Sequence, residues 1–292
     1  MSKFGIFIPT YNRKSPLCLN LLTRDSDIEL NLCVRSELYD KGFYDELEKL
    51  DRVNIIKLGY GLTELGETRE RIMEIVKLKN IDYCLMLDDG VKDIFDVANS
   101  NFSLTQVIEC AIRIIEESEN AIGFTFLKRH VLDENGKSIR ELRHFDKLYE
   151  RYFLTFPTQA VLLDMKKVLK YNLHYQSLST VGFEDAAFFG DAIKCGLTYV
   201  GSYSIQMNAI APNIKKSGGS HSESEQLEER YDKLNKRCVK YLNMMGTSIE
   251  KRYRNYVGGY LSLIIWDLDF FKEVLVTNRE KNQKIIDNHF KL

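Results

Sequence analysis

Short apolar runs separated by polar, glycine-bearing turns dominate the first ninety residues. Residues 4–9 (FGIFIP) are apolar and end at a proline, which predicts a buried first strand followed by the loop Thr10-Tyr11-Asn12-Arg13. A second strand (IELNLCVR) is predicted around residues 30–35, a helix over 38–50 and a third strand over 53–58. After a loop carrying Gly59, Gly61 and Gly66, apolar Ile72, Ile75, Val76 and Leu78 recur at helical spacing within 67–79. Residues 83–87 predict a fourth strand, which ends in Asp88-Asp89-Gly90.

The pattern continues with an amphipathic helix over 103–118, a strand over 121–127 (AIGFTFL) and another over 159–165. Between them, the polar stretch 131–151 contains the turn sequence Asp133-Glu134-Asn135-Gly136 and predicts a hairpin or loop over a site mouth. Residues 182–195 open with Phe183-Glu184-Asp185 and run into a helix, and 222 to about 245 predict a charged amphipathic helix. Alternating strands and helices point to an α/β fold with a mostly parallel sheet flanked by helices. The expected organisation is a catalytic domain over 1–221 and a helical C-terminal extension over 222–292. In such sheets ligands bind beyond the carboxyl ends of the strands, so the loops after strands one and four are the first places to look for chemistry.

Composition narrows the class. A chain of 292 residues, 44% hydrophobic, can bury a large core, and 16 Phe and 16 Tyr against 4 Pro argue for an ordered globular protein. The net charge of −1 neither demands nor excludes a polyanionic partner, although residues 211–292 carry 15 Lys and Arg against 11 Asp and Glu. Six cysteines stand singly, which fits reduced thiols in place of a disulfide framework. Residues 261–271 form an apolar stretch broken by Asp267 and Asp269, well short of the ~20 residues that cross a bilayer. With no apolar leader of secretory type at the start, a cytoplasmic protein without a membrane span is expected, in the host cytoplasm if phage-encoded.

Three constellations carry candidate chemistry. Adjacent carboxylates raise one another's pKa unless something positive neutralises them, so Asp88-Asp89 suits a divalent cation; it also suits a plain acidic turn. Glu184-Asp185 can act on a substrate or simply satisfy the free N–H groups of a helix start. The segment Asn213-Ile214-Lys215-Lys216-Ser217-Gly218-Gly219-Ser220-His221 combines glycines, two lysines and a histidine, fit for phosphate or metal, or for a solvated hinge.

Taken in order, the TYNR loop, the acid pair, the FED segment near 184 and the Gly/His loop near 220 resemble the nucleotide-sugar glycosyltransferases of the GT-A fold, over about residues 3–222. The resemblance implies a GT-A-like α/β domain, Mn2+ or Mg2+ as cofactor and a nucleotide-sugar donor, a UDP-sugar first. It places Thr10, Tyr11, Arg13 and Arg35 at the nucleotide base and ribose, and Arg69 toward the phosphate or ribose. Asp88 falls near the ribose and Asp89 at the metal, with His221 completing the metal shell and Lys215 and Lys216 facing the diphosphate. Gly90 stands where many members carry a third acid, which leaves the direct metal ligand open between Asp88 and Asp89. Asp185, with Glu184 beside it, matches the carboxylate pair that supplies the general base in inverting members.

A narrower resemblance is to the glycosyltransferases associated with hydroxymethylated DNA bases in phages and kinetoplastids. It rests on GLTELGETRERIMEIV, YCLMLDDGV and KKSGGSHS, and implies a DNA acceptor, for which Lys251-Arg252-Tyr253-Arg254-Asn255-Tyr256 is the candidate contact. The rival expectations are an enzyme that glycosylates a surface glycan or protein, and an inactive GT-A-like binding module. A nucleotidyltransferase fits less well, because TYNRKSP lacks the glycine-rich loop that such enzymes carry after the first strand.

Overall fold

The computed structural model describes residues 2–62, 65–142, 159–175 and 184–210. The expected C-terminal extension, with Lys215, Lys216, His221 and the 251–256 segment, lies outside the described residues. Within them the chain is mixed α/β. Its main sheet has seven strands: β1 (Phe4–Thr10), β2 (Leu30–Val34), β3 (Val53–Lys57), β4 (Tyr83–Leu87), β6 (Ala121–Thr125), β9 (Ala160–Asp164) and β10 (Thr198–Val200). They lie in the order β10-β6-β9-β4-β1-β2-β3. All run the same way except β9, which pairs antiparallel with both β4 and β6.

Both faces of this sheet are covered, which is why its strands read as unbroken apolar runs instead of alternating ones. Ile6, Ile8, Leu30, Leu32, Leu85 and Leu87 point to the face that holds α4 (Leu104–Glu117). Phe7, Cys33, Cys84 and Met86 point to the other, against α3 (Leu65–Leu78) and α6 (Glu184–Lys194). The start of α4 is set by a capping box. Ser103 Oγ accepts from the Gln106 N–H at 3.3 Å, while Gln106 Oε1 accepts from the Ser103 N–H at 2.8 Å.

A second sheet, β5-β11-β7-β8, is made of β5 (Val91–Asp96), β7 (Leu127–Leu132), β8 (Ser138–Glu141) and β11 (Ile205–Ile210). The expected hairpin is β7-β8, turning at Asp133–Gly136, where Asp133 Oδ1 accepts from the N–H groups of Asn135 and Lys137. Several expectations are corrected. The single helix over 38–50 is two one-turn helices, α1 (Ser36–Tyr39) and α2 (Asp45–Glu48), interrupted where Gly42 takes φ 71°. The single strand over 121–127 ends at Thr125, and Leu127 begins β7 in the other sheet. Strands β5, β10 and β11 were not anticipated, because VKDIFD reads as polar and the other two lack a period long enough to register.

Candidate functional site

The parallel topology brings the carboxyl ends of β1, β2 and β4 side by side. Beyond β1, Asn12 sits in the left-handed region at φ 54°, a conformation that asparagine tolerates better than most residues. Tyr44, buried in the core, holds this turn from beneath. Its hydroxyl accepts from the Asn12 N–H and donates to the Thr10 carbonyl, both at 3.3 Å. Burial, opposed by the Asn12 bond, pushes the Tyr44 phenol up to about 12, so it stays a neutral donor. Thr10 itself is buried, with Oγ1 donating to the Ile8 carbonyl. The turn lays the Tyr11 ring under the Arg35 guanidinium, 4.4 Å from its centroid, and sends Arg13 back toward β4.

The acid turn after β4 is anchored on several sides. The Asp88 N–H donates to the Gln159 carbonyl at 2.7 Å, the Ile210 N–H to the Gly90 carbonyl at 3.0 Å, and the Cys18 N–H to the Asp89 carbonyl at 3.3 Å. Asp89 is buried, and its Oδ1 lies 3.0 Å from Arg13 Nε. Burial raises the Asp89 carboxyl to about 7, with Arg13 pulling it down and Asp88 pushing it further up. Asp88 is the more exposed of the two and pairs with Arg69 NH2 at 3.2 Å.

Arg69 joins two elements. From the second turn of α3, Nε reaches Glu184 Oε1 at 3.3 Å, at the first residue of α6. Burial works against the Arg69 charge, but Glu184 and then Asp88 more than offset it and raise its pKa. The guanidinium lies 5.8 Å from the Tyr175 ring, which stacks on Phe188 at 4.5 Å. Within these direct ion pairs, two guanidiniums face three carboxylates. Hard carboxylate oxygens are the donors that Mg2+ and Mn2+ take, so Asp88 and Asp89 fit a divalent cation. Among the described residues, no group of three His, Cys, Asp or Glu side chains is arranged to hold a metal.

Of the residues expected at the site, Thr10, Tyr11, Arg13, Arg35, Arg69, Asp88, Asp89, Glu184 and Asp185 belong to the strand ends and helix start just described. Glu184 and Asp185 part company there: Glu184 is buried in an ion pair with Arg69, whereas Asp185, the next residue of α6, is only half-buried. Lys215, Lys216 and His221 lie outside the described residues. Sequence reasoning missed Tyr44, Lys128, Gln159 and Tyr175. The available signal for Lys128 was a lysine directly after the apolar run 121–127. Tyr44 and Tyr175 read as ordinary core aromatics.

No known protein family matches the chain, and no curated protein does. Solved structures show backbone likeness at low identity. The mannosyltransferase PcManGT from Pyrobaculum calidifontis, in complex with GDP-Man and Mn2+, is 9% identical, is matched across 89% of this chain and 68% of its own, and has a TM-score of 0.47. GalNAc-T7, with UDP, GalNAc and Mn2+, is 10% identical with a TM-score of 0.47; 72% of this chain spans 44% of that protein, less than half its length. A 4-diphosphocytidyl-2C-methyl-D-erythritol synthase from Anaerococcus prevotii is 16% identical, matched across 80% of this chain and 96% of its own, with a TM-score of 0.39. No helix among the described residues is long and apolar enough to cross a membrane.

Proposed function

We propose that the chain is a glycosyltransferase that moves a sugar from a nucleotide-diphosphate donor, a UDP-sugar first, to an acceptor hydroxyl. The observation that supports this reading is the linked set Arg13–Asp89 and Asp88–Arg69–Glu184 at the carboxyl ends of β1 and β4. It lies next to the Tyr11–Arg35 stack, a planar cationic and aromatic surface suited to a nucleotide base. On this reading Thr10 and Asp88 would meet the ribose.

Asp88 and Asp89 would hold a Mn2+ or Mg2+ ion, with His221 as a further ligand and Lys215 and Lys216 toward the diphosphate. When bound, such an ion supplies charge neutralisation for the departing nucleoside diphosphate. The chain's own residues do the rest. Arg13 opposes the burial that favours the protonated form of Asp89. Arg69 fixes Asp88 and, through Glu184, the first turn of α6. Asp185 then accepts the proton of the attacking hydroxyl as the new C–O bond forms and the bond to the phosphate oxygen breaks. This assigns Asp185 as the general base and Glu184 as a positioning residue, and it implies inversion at the sugar carbon.

The test combines thermal shift with turnover. UDP or GDP added at about 100 times its Kd contributes about 2.7 kcal/mol, which corresponds to roughly 4–5 °C for a chain of this size. That shift should require Mn2+ or Mg2+ and be lost in Asp89→Ala. Asp185→Asn should keep it and lose about 10²- to 10⁴-fold in transfer. If no nucleotide shifts the melting of the unaltered protein with either metal, the reading is refuted.

A further inference from the structure

One cation beside the site has no part in that account. Lys128 is the second residue of β7, and its ammonium donates to Gln159 Oε1 and, at 3.2 Å, to the Ile210 carbonyl. Those two residues are the ones that grip the acid turn from its far flank. Gln159 accepts from the Asp88 N–H through its own carbonyl, and the Ile210 N–H donates to the Gly90 carbonyl. In the main sheet β4 lies between β1 and β9. Arg13 therefore reaches the turn from the β1 side, and Lys128 from the opposite side, where Gln159 leads into β9.

Holding an ammonium here carries a cost. Burial lowers the Lys128 pKa to about 8, with the Asp88 charge pulling it back up. An apolar side chain at this position of β7 would avoid that cost. Perturbed charged groups cluster at functional sites, and a poorly solvated cation is worth most where anionic charge grows.

We propose that Lys128 is an anion-binding residue of this site, its ammonium meeting an oxygen of the donor's diphosphate across the acid turn from Arg13. The inference rests on the nucleotide-sugar reading and adds a specific phosphate ligand to it. The charge on the diphosphate increases as its bond to the sugar breaks, so Lys128 acts more strongly on the transition state than on the bound donor.

The experiment compares the unaltered full chain with Lys128→Met and Lys128→Arg, titrated calorimetrically with inorganic pyrophosphate, UDP, GDP, uridine and guanosine in the presence of Mn2+. Lys128→Met removes a buried charge but also a donor to Gln159 Oε1 and the Ile210 carbonyl, so its melting temperature is measured alongside to separate loss of binding from loss of fold. Its affinity for pyrophosphate and for the bound nucleoside diphosphate should fall by roughly 10- to 100-fold, as expected for loss of a charge-assisted hydrogen bond. Nucleoside affinity should be unchanged, and Lys128→Arg should recover most of the loss. With a donor in hand, kcat should fall by a larger factor than KM rises. The proposal is overturned if Lys128→Met binds pyrophosphate as the unaltered protein does, if nucleoside and diphosphate weaken equally, or if the unaltered protein binds neither. Pyrophosphate binding that depends on Lys128, without any nucleotide binding, would retain the anion site while refuting the nucleotide-sugar reading.

Discussion

Replacing Arg69 with methionine tests the ion-pair network directly. Arg69 and Glu184 are both buried, with side chains only 6% and 4% exposed, and their closest charged atoms are 3.3 Å apart. At an effective dielectric of about 20 that attraction is about 5 kcal/mol before the desolvation of both partners is subtracted. Methionine fills most of the volume but leaves Glu184 buried without its counter-ion and Asp88 without its partner. A loss of about 3–5 kcal/mol follows, or roughly 5–8 °C in Tm for a chain of this size. The double variant Arg69→Met/Glu184→Met removes both charges and should be more stable than Arg69→Met alone, because an apolar pair of similar volume has no buried charge left uncompensated. Urea denaturation of the unaltered chain, both single variants and the double variant closes the thermodynamic cycle. A loss below about 1 kcal/mol for Arg69→Met, or a double variant no more stable than it, would refute the reasoning.

Gly123→Ala should cost about 2–3 kcal/mol, since a Cβ there would stand 2.3 Å from the Leu162 carbonyl oxygen and 3.2 Å from the Tyr199 ring, prising β6 from β9. An unchanged urea midpoint would show that the two strands pack less closely than described. Tyr44→Phe should cost about 1–2 kcal/mol by orphaning the Asn12 N–H and the Thr10 carbonyl. It should also weaken nucleotide binding in the thermal-shift titration, because the turn that presents Tyr11 and Arg13 loses its support; unaltered binding would separate Tyr44 from the site. Asp89→Ala and Asp185→Asn complete the set, with the expectation that only the first abolishes metal-dependent nucleotide binding.

Much of the fold was legible in the chain because its signals are local. Residues 83–87 read as a strand of the same bounds as β4, since five consecutive buried residues between polar neighbours leave little alternative. The amphipathic period over 103–118 marked α4 in the same way. The acid turn was legible as well, because two carboxylates at the end of an apolar strand need a reason to be there. Strand direction was not: β9 reads like its neighbours, and only its pairing with β4 and β6 makes it antiparallel. Nor could periodicity divide 121–132 between two sheets, since β6 and β7 are separated only by the buried Phe126.

The site follows the same division. Residue type and place along the chain picked out Asp88, Asp89, Glu184 and Asp185 as candidates, at a strand end and a helix start, and the family resemblance added Arg13 and Arg69. Which carboxylate faces which arginine is a matter of distance between elements far apart in sequence, and only the tertiary structure decided it. Arg69 comes within 3.3 Å of Glu184, 115 positions later, because α3 and α6 cover the same face of the sheet. That contact buries Glu184, while Asp185 beside it is half-buried. Lys128 shows the limit most plainly, because its significance comes from Gln159 and Ile210, two residues with no local signature. The sheet brings both of them to the acid turn, and no pattern within one segment encodes that meeting.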